Sequence, residues 1–468
     1  MPILETRLRA ALQSREERCI RRRLSDPATN VGLVDFHTND YLSLSSSEDL
    51  RSRFLTKLAA APNILGSGGS RLLVNGAAHH AFETRLASFF GSPCALLFNS
   101  GFDANVGFFS CVPQAGDVVV FDEYIHASVH DGIRASRARE DWFSFEHNSL
   151  TALGDLLLRL IDGRPSLTEG SQSIFVAVES LYSMDGTIAP LLQIVEMVEA
   201  MFPRGNGYVI VDEAHATGIY GPQGRGLVAL LGLEDRVLAR LHTFGKALAG
   251  SGGTCPNHYV VLEVLKLNIS IAVVLTNTLI RDYMLNYARS LIYTTSLCYA
   301  NIIAVDCAFD MLEDGTAKQL SRHVLHLSAV FTATFTTLIR IRPNIPLHLL
   351  SLSPRLTLPR QSSSDFSTPL SNPPTPIIAV FTSSPRPLSA YLRKKGMNAC
   401  PITWPTVPKG KDRVRVCLHA GNTEKEVEVL AREMVAWAEA ESEKSGASEI
   451  SDGCGLGEKR VAAVQSKL

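Results

Sequence analysis

Between about residues 46 and 300, short runs of apolar and β-branched residues alternate with turn clusters and helical patterns. Near-continuous apolar strands separated by helices are typical of a parallel sheet covered on both faces. Polar and small residues cluster at or just after the ends of these runs, where a sheet of this kind binds its ligand. The runs are CALLFNS (94–100), DVVVFD (117–122), SIFVAVES (173–180) and YVIVDEA (208–214).

The pattern divides the chain into four parts. Residues 1–45 suggest a helix and a short strand, and residues 46–300 form the large α/β domain. Residues 301–440 contain a helix, a Ser/Pro-rich stretch (342–376) that we interpret as a loop, two strands and a closing helix. This order predicts a smaller α+β domain. Residues 441–468 are small, polar and charged, so we expect a flexible tail.

Composition excludes several classes of protein. The 468 residues carry a formal net charge of -1, which argues against broad electrostatic binding to nucleic acid or anionic lipid. The hydrophobic content of 46% is ordinary for a globular protein. The apolar stretch 259–280 contains Glu263 and Lys266, so we do not expect it to span a membrane.

Two features concern the compartment. The nine cysteines include no C-x-x-C pair, which favours reduced thiols in an intracellular protein. The chain ends in Ser466-Lys467-Leu468, a tripeptide that the peroxisomal import receptor reads as an address. We therefore expect a peroxisomal protein, or a cytoplasmic one if this signal is not read.

Lys246 lies in HTFGKALAGSGG, where small residues follow the lysine. A lysine amine in a tight turn can form a Schiff base with a carbonyl cofactor. The segment alone favours a surface lysine in a loop. A phosphate-binding P-loop is excluded because that motif needs glycine where this chain has Arg240.

Asp212 ends an apolar strand in VIVDEAHATG, and His215 follows three residues later. A carboxylate at this depth can keep a pyridinium nitrogen protonated, and a histidine can hydrogen-bond a ring oxygen. A helicase is disfavoured because the chain lacks a P-loop and a basic character. A metal site is the weaker alternative, in which both residues join His126 and His130 of HASVH.

Further candidates follow other strands. Gly101 and Phe102 lie at a strand-to-helix turn, whose backbone N–H groups suit phosphate. Ser183 and Thr243 offer hydroxyl groups, and His126 can stack on a flat ring. Each alone is more often a turn or core residue, but with Lys246, Asp212 and His215 they make up what a pyridoxal phosphate enzyme needs.

The order and the amino-acid sequences of these motifs resemble those of the α-oxoamine synthases, which are fold-type I pyridoxal phosphate enzymes. The resemblance runs from about residue 5 to 440. The matching segments are NDYLSL (39–44), GSGGSRLL (66–73), FNSGF (98–102), HASVHDG (126–132), ESLYSMDG (179–186), VDEAHATGIYGPQGRG (211–226), HTFGKAL (242–248), IYTTSL (292–297) and PTVPKGKDRVRV (405–416).

The resemblance implies a large domain with a mostly parallel seven-stranded sheet, a smaller α+β C-terminal domain and an acyltransferase that uses pyridoxal 5'-phosphate. It assigns no metal. Lys246 would hold the cofactor as a Schiff base and move the substrate proton. Around the cofactor ring, the resemblance implies that Asp212 pairs with the ring nitrogen, His126 stacks on the ring and His215 contacts the ring oxygen. It implies that the phosphate or its surroundings are bound by Gly101, Phe102 and Thr243. Ser183 would also lie at the cofactor.

The same resemblance places Arg21, Asn39, His126 and Thr406 at the substrates, and Arg415 at the amino-acid carboxylate. It also implies a homodimer, in which Thr294 and Thr295 reach the partner's phosphate. Within the family, GSGGSRLL, PTVPKG and the early IRRR are most similar to the branch that condenses L-alanine with pimeloyl-CoA to 8-amino-7-oxononanoate, CoA and CO2 in biotin biosynthesis. A serine- or glycine-using member with another acyl-CoA, and an inactive partner subunit, remain alternatives.

Residues 253–271 depart from the family pattern. Removing these 19 residues restores a continuous run, GKALAGSGAVVLTN, and the codons at both ends permit a retained intron. The segment is therefore either an insertion or a translated intron. Ser43, where the family usually has glycine, and Cys298-Tyr299, where Pro-Pro is usual, put the preferred acyl chain in doubt rather than the chemistry.

Overall fold

The structure is a computed structural model of the chain. It describes residues 2–18, 20–24, 26–66, 68–138, 141–250, 271–353, 356 and 373–453. The predicted tail signal, nearly all of the 253–271 segment and much of the Ser/Pro-rich stretch lie outside these ranges.

The described chain alternates strands and helices. The helices are α1 (Ile3–Glu17), α2 (Glu48–Ala60), α3 (Ala77–Phe90), α4 (Gly101–Cys111), α5 (Ala127–Arg134), α6 (Leu150–Gly163), α7 (Pro165–Glu169), α8 (Leu191–Met201), α9 (Leu227–Leu230), α10 (Thr278–Tyr287), α11 (Arg289–Ile292), α12 (Tyr299–Glu313), α13 (Thr316–Arg340), α14 (Pro385–Lys394) and α15 (Glu424–Gly453). The strands are β1 (Val34–Phe36), β2 (Cys94–Phe98), β3 (Val118–Asp122), β4 (Trp142–Phe145), β5 (Ile174–Glu179), β6 (Gly207–Asp212), β7 (Ala239–Thr243), β8 (Ala272–Thr276), β9 (Ser351–Leu352), β10 (Ile377–Phe381), β11 (Met397–Ile402) and β12 (Arg413–Cys417).

The large sheet has seven strands in the order β2-β8-β7-β6-β5-β3-β4. Strands β4, β3, β5, β6 and β7 run parallel, and only β8 pairs antiparallel with its neighbours β2 and β7. Every residue of β3, β5 and β7 is buried, as expected for strands covered by helices on both faces. The predicted mostly parallel seven-stranded sheet is confirmed.

The small sheet has five strands in the order β1-β11-β12-β10-β9. Its core packs against helices α13 and α15, with Phe331 and Trp437 among the buried side chains. Strand β1 comes from the N-terminal segment and pairs in parallel with β11, about 360 residues further along the chain. Helix α12, by contrast, packs on α2 and α3 of the large domain.

Ser43 occupies a backbone conformation that explains why glycine is usual at this position. Its φ is 53°, in the left-handed region that costs most residues free energy. The Ser43 hydroxyl accepts a hydrogen bond from the Gly421 N–H at 2.8 Å. This contact with the small domain offsets part of the backbone strain.

Among the described residues, no helix combines the length and the hydropathy needed to cross a membrane.

Candidate active site

A polar pocket opens at the carboxyl ends of β5, β6 and β7, the edge at which the strand pattern predicted a ligand. Most of the predicted cofactor residues meet here, although they are spread over 146 positions of the chain. The pocket is lined by Ser100, Gly101, Phe102, Asn105, His126, Glu179, Asp212, Ala214, His215, Thr243 and Lys246.

Asp212 is the last residue of β6 and is 7% exposed. Two donors hold its carboxylate: the Asn105 side-chain amide donates to Oδ2 at 2.9 Å, and the Ala214 backbone N–H donates to Oδ1 at 2.9 Å. Hydrogen bonds from neutral donors stabilise a buried carboxylate without cancelling its charge. Asp212 is therefore suited to face a cation in the pocket.

His126 precedes α5 and belongs to the same network. Its Nδ1 lies 2.7 Å from the Ser128 hydroxyl, which also accepts a hydrogen bond from Asn105 at 3.0 Å. Burial lowers the pKa of His126, which favours the neutral ring. A neutral imidazole held by its Nδ1 edge can offer its face to a flat ligand.

Lys246 follows β7 after a short turn and is half-buried. Burial lowers the pKa of the Lys246 amine, while the negative charge of Asp212 opposes this shift. A lowered pKa increases the fraction of neutral amine at pH 7. Only the neutral amine is a nucleophile or a proton acceptor.

The N-terminus of α4 forms another wall of the pocket. Ser100 caps the helix by accepting the Asp103 N–H at 3.0 Å, so the preceding amides of Gly101 and Phe102 lie in the first turn, where no helical carbonyl accepts them. A Cβ at position 101 would collide with the Thr243 side chain. Glycine is thus required for α4 and β7 to approach, and the turn suits an anion.

Arg415 reaches the site from β12 of the small sheet and is 7% exposed. Its Nη1 donates to the Ser183 carbonyl oxygen at 3.1 Å, and its Nη2 donates to Asn39 Oδ1 at 2.9 Å and to the His37 carbonyl oxygen at 3.3 Å. Ser183 therefore meets Arg415 through its backbone, and its side chain is not among the pocket-lining groups. Asn39 and Arg415 are brought together as a pair.

The remaining predicted substrate residues lie at the surface. Arg21 is exposed beyond α1 and forms an ion pair with Glu16 at 3.2 Å. Thr406 is exposed in the loop between β11 and β12. The Arg18 guanidinium lies over the Trp404 ring at 5.9 Å, so the N-terminal segment and this loop are neighbours. The described chain does not bring either residue into the pocket.

Thr294 and Thr295 were predicted to contact a partner subunit. Within this chain, the Asn99 side-chain amide donates to the Thr294 hydroxyl at 3.2 Å and to the Thr295 carbonyl oxygen at 2.8 Å. The Thr295 side chain is exposed. Both residues thus lie close to the pocket entrance, next to the residue that precedes Ser100.

Three residues of the site were not singled out from the sequence. Glu179 ends β5, and the parallel register places it directly beside Asp212. Asn105 lies one helical turn after Gly101, on the same face of α4. Tyr41 lies within the NDYLSL motif, and its hydroxyl is 2.7 Å from His215 Nδ1. The position of Glu179 at a strand end was a usable signal; the other two depend on tertiary packing.

Glu179 is 3% exposed, and its Oε1 has no hydrogen-bond partner among the described residues. Burial raises the pKa of Glu179 well above its usual range, and the neighbouring charge of Asp212 adds to this effect. This shift favours the neutral carboxyl, which can donate a hydrogen bond. The two neighbouring carboxyls thus differ: both oxygens of Asp212 accept hydrogen bonds, whereas Oε1 of Glu179 accepts none from the described residues.

Gly250, which lies just before the unusual segment, and Ile271, the last residue of that segment, both bond to Phe244. The Gly250 N–H donates to the Phe244 carbonyl oxygen at 2.6 Å, and the Phe244 N–H donates to the Ile271 carbonyl oxygen at 2.8 Å. The chain therefore leaves and returns beside the same residue, two positions before Lys246. This geometry allows the intervening residues to be shortened without moving β7 or β8.

The H-x-x-x-H spacing does not produce a shared metal face. His130 packs edge-on against Phe121, with ring centroids 4.9 Å apart, while His126 lines the pocket. Among the described residues, no three His, Cys, Asp or Glu side chains are grouped so that they could hold a metal ion.

Comparison with known proteins gives a consistent result. The model of the family "Aminotransferase class I and II" matches residues 31–434. The chain is 42% identical to 8-amino-7-oxononanoate synthase from Emericella nidulans over 439 residues, covering 93% of this chain and 96% of that protein. It is 37% identical to aminoacyl transferase sphA from Aspergillus fumigatus over 409 residues, covering 86% and 81% of the two chains.

Among solved structures, a serine palmitoyltransferase variant from S. paucimobilis with a bound pyridoxal phosphate–myriocin adduct has a similar fold. The TM-score is 0.71 at 21% identity, and the match covers 94% of this chain and 99% of that chain. The chain therefore belongs to the aminotransferase class I and II family, within its α-oxoamine synthase group of pyridoxal-phosphate-dependent enzymes.

Proposed function

We propose that this protein condenses L-alanine with pimeloyl-CoA, with loss of CO2 and CoA, to form 8-amino-7-oxononanoate. The relative from Emericella nidulans, which is 42% identical over nearly its whole length, supports this choice of substrates. The observation in the structure that carries the proposal is the state of Arg415. This buried guanidinium is held by neutral oxygens, and no carboxylate among the described residues pairs with it.

A buried cation without a counter-ion is unfavourable unless a ligand supplies the negative charge. A guanidinium binds a carboxylate through two parallel hydrogen bonds, which suits the α-carboxylate of an amino acid. Arg415 Nε is buried and has no nitrogen or oxygen partner among the described residues. We infer that the amino acid binds between Arg415 and Lys246.

The pocket fits pyridoxal phosphate. The amides of Gly101 and Phe102 would hold the phosphate, Asp212 would face the ring nitrogen, and His126 would lie against the ring. When bound, the cofactor accepts electrons from the amino acid and so makes its α-proton acidic. We assign Lys246 as the residue that attaches the cofactor covalently, because its amine is the one that lines this pocket.

The chain's own groups then provide proton transfer and orientation. Lys246, whose lowered pKa favours the neutral amine, takes the α-proton and returns it after the acyl transfer. The Asp212 carboxyl is fixed by two hydrogen bonds and would face positive charge on a bound ring. Arg415 fixes the carboxylate, which orients the reacting carbon toward the amine.

For the acyl-CoA, we propose the surface where the N-terminal segment meets the β11–β12 loop. Arg21 and Thr406 are exposed there, and the Lys409 amine lies over the Trp404 ring at 5.3 Å. Cationic side chains beside an aromatic ring suit a nucleotide with phosphate groups.

A second candidate function is supported by the relative named aminoacyl transferase sphA, which is 37% identical. In that case a different amino acid or a longer acyl chain would be used. An inactive partner subunit is disfavoured because Lys246, Asp212 and His215 all line one pocket.

The test is product analysis with the full chain. We would incubate the purified protein and cofactor with L-alanine, L-serine or glycine, each with pimeloyl-CoA or a long-chain acyl-CoA, and measure CoA release and product mass. The Lys246→Ala variant is the control. We expect the highest kcat/KM with L-alanine and pimeloyl-CoA. Faster reaction with serine or glycine and a long acyl chain would favour the second candidate, and no product from any pair would favour the inactive subunit.

We also propose a homodimer and peroxisomal import. The dimer is supported by exposed apolar side chains that a partner would cover, which include the pocket-lining Phe102 as well as Leu65, Leu72, Leu73 and Tyr293. Import rests on the terminal Ser466-Lys467-Leu468. Sedimentation of the purified chain tests the first, and localisation of a fluorescent fusion with and without Leu468 tests the second.

A further inference from the structure

Tyr41 connects the small domain to the pocket through a chain of buried hydrogen bonds. Its side chain is fully buried, and its hydroxyl lies 2.7 Å from His215 Nδ1 and 3.2 Å from Asn39 Oδ1. Asn39 Oδ1 in turn accepts the Arg415 Nη2–H at 2.9 Å. This series of hydrogen bonds thus runs from Arg415 on β12 to His215, which lines the pocket.

The backbone of Tyr41 is also held by hydrogen bonds, one of which comes from the small domain. Its N–H donates to the Asn39 carbonyl oxygen at 2.8 Å, and its carbonyl oxygen accepts the Ala420 N–H at 2.8 Å. Ala420 follows β12 closely. The hydroxyl therefore has little freedom, and its position relative to His215 is set by the small sheet.

The proton of the Tyr41 hydroxyl has two possible acceptors. Burial lowers the pKa of His215 well below its usual range, so this ring is neutral and carries one proton. Burial also raises the pKa of Tyr41 well above 10, so the phenol keeps its proton. Asn39 Oδ1 is the longer contact and already accepts from Arg415, whereas His215 Nδ1 is closer. Donation to Nδ1 is the better hydrogen bond.

We propose that Tyr41 is a positioning residue that donates its hydroxyl hydrogen to His215 Nδ1 and so fixes the tautomer with the proton on Nε2. Because Nδ1 is turned to Tyr41, Nε2 is the ring nitrogen left for the pocket. The pocket then receives a hydrogen-bond donor from His215, which suits an oxygen that carries negative charge. The opposite tautomer would present a lone pair and repel such an oxygen.

The tautomer of His215 is a property of the protein itself and does not depend on the proposed function. Only its consequence, a hydrogen bond from His215 to an oxygen of the bound cofactor, rests on the proposed function. We would label the full chain with 15N-histidine and assign the His215 nitrogens by comparison with the His215→Asn variant. We expect the 15N shifts of a neutral ring with protonated Nε2, with and without cofactor. A protonated Nδ1, or a doubly protonated ring, would overturn the proposal.

The Tyr41→Phe variant provides the second measurement. We expect the pH midpoint of the bound cofactor's visible absorbance to shift by about 0.5 to 1 pH unit, the equivalent of one hydrogen bond. The matched control is Tyr220→Phe, which removes an equally buried hydroxyl that donates to the Pro374 carbonyl oxygen at 2.8 Å, away from the pocket lining.

Equal midpoints for Tyr41→Phe, Tyr220→Phe and the unmodified chain would also overturn the positioning role. If the chain binds no cofactor, the proposed function fails, but the 15N measurement on the free protein still decides the tautomer. If Tyr41→Phe does not fold, the measurement on the unmodified chain remains decisive.

Discussion

Asp212 and Arg21 are both charged side chains assigned to the same reaction, yet the molecule holds them very differently. Asp212 is buried at the end of a central strand and is fixed by two hydrogen bonds. Arg21 is exposed on the segment after α1 and pairs with Glu16 at the surface. The pocket is thus assembled by the sheet, whereas Arg21 is held by a surface ion pair. We therefore expect substitutions in the pocket and at the surface to have effects that differ in size and in the parameter they change.

The largest expected effect is at Lys246. Lys246→Ala removes the amine that attaches the cofactor and moves the proton, so we expect kcat to fall by roughly 10³-fold or more. The measurement is kcat together with the visible absorbance of the bound cofactor. Lys318→Ala, an exposed lysine on α13, serves as control. A variant at position 246 that keeps both the rate and the absorbance would remove the basis for this pocket as the active site.

Acid should destabilise the large domain through its buried histidines. Burial lowers the pKa of His79 to about 4, whereas the unfolded chain binds this proton near about 6.5. Between these values the unfolded state carries more protons, so stability falls as the pH falls. The loss should reach about 3 kcal/mol for this one group at the acid end of the window.

Denaturant unfolding at several values from pH 7 to pH 4 measures the slope of the free energy of unfolding against pH. We expect His79→Gln to flatten it, while His80→Gln, on the exposed side of α3, leaves it unchanged. Equal slopes in the unmodified chain and His79→Gln would contradict the assignment.

At the amino-acid carboxylate, Arg415→Lys keeps the charge but loses the planar fork. We expect KM for the amino acid to rise roughly 30-fold, about 2 kcal/mol, with little change in KM for the acyl-CoA. Arg432→Lys on the exposed face of α15 is the control. An unchanged KM for the amino acid would separate Arg415 from substrate binding and weaken the proposed function.

A smaller effect is expected at the surface. Arg21→Ala should raise KM for the acyl-CoA roughly tenfold, about 1.4 kcal/mol, without changing the free energy of unfolding. Arg23→Ala is a matched control because both arginines pair with Glu16. The same KM in both variants would show that Arg21 is an ordinary surface charge.

The smallest effect is expected from deleting residues 253–271. Because Gly250 bonds to Phe244 and Ala272 pairs with Thr243 in the sheet, the residues retained on either side lie close together and the chain can close across the deletion. We expect the free energy of unfolding to change by less than about 1 kcal/mol, and cofactor absorbance to be retained. Loss of cofactor binding in the deleted form would show that the segment is needed beside Lys246.

Much of the site could be read from local patterns because its residues follow apolar strands. Asp212, His126 and Gly101 each lie in or just after a run that the hydrophobic pattern identified, and parallel strands end at a common edge. Glu179 has the same signal and was nevertheless missed, because only the β5–β6 register places it beside Asp212.

Other features could not be read in this way. Tyr41 contacts His215 across 174 positions, and Arg415 meets Asn39 across 376. Ser183 was expected to offer a hydroxyl to the cofactor, but the structure uses its carbonyl oxygen to hold Arg415. Such contacts depend on how the small sheet packs against the large domain, and no local period encodes that packing.

The sequence by itself determined the α/β class, the ligand edge of the parallel sheet and the residue types of a pyridoxal phosphate site. Periodicity and strand-end chemistry are local properties, so a single chain displays them. Only the tertiary structure decided that Glu179 lies beside Asp212, that Arg415 is buried without a carboxylate partner among the described residues and that Tyr41 bonds to His215. Burial and hydrogen-bond partners set protonation, and both arise from residues far apart in the chain.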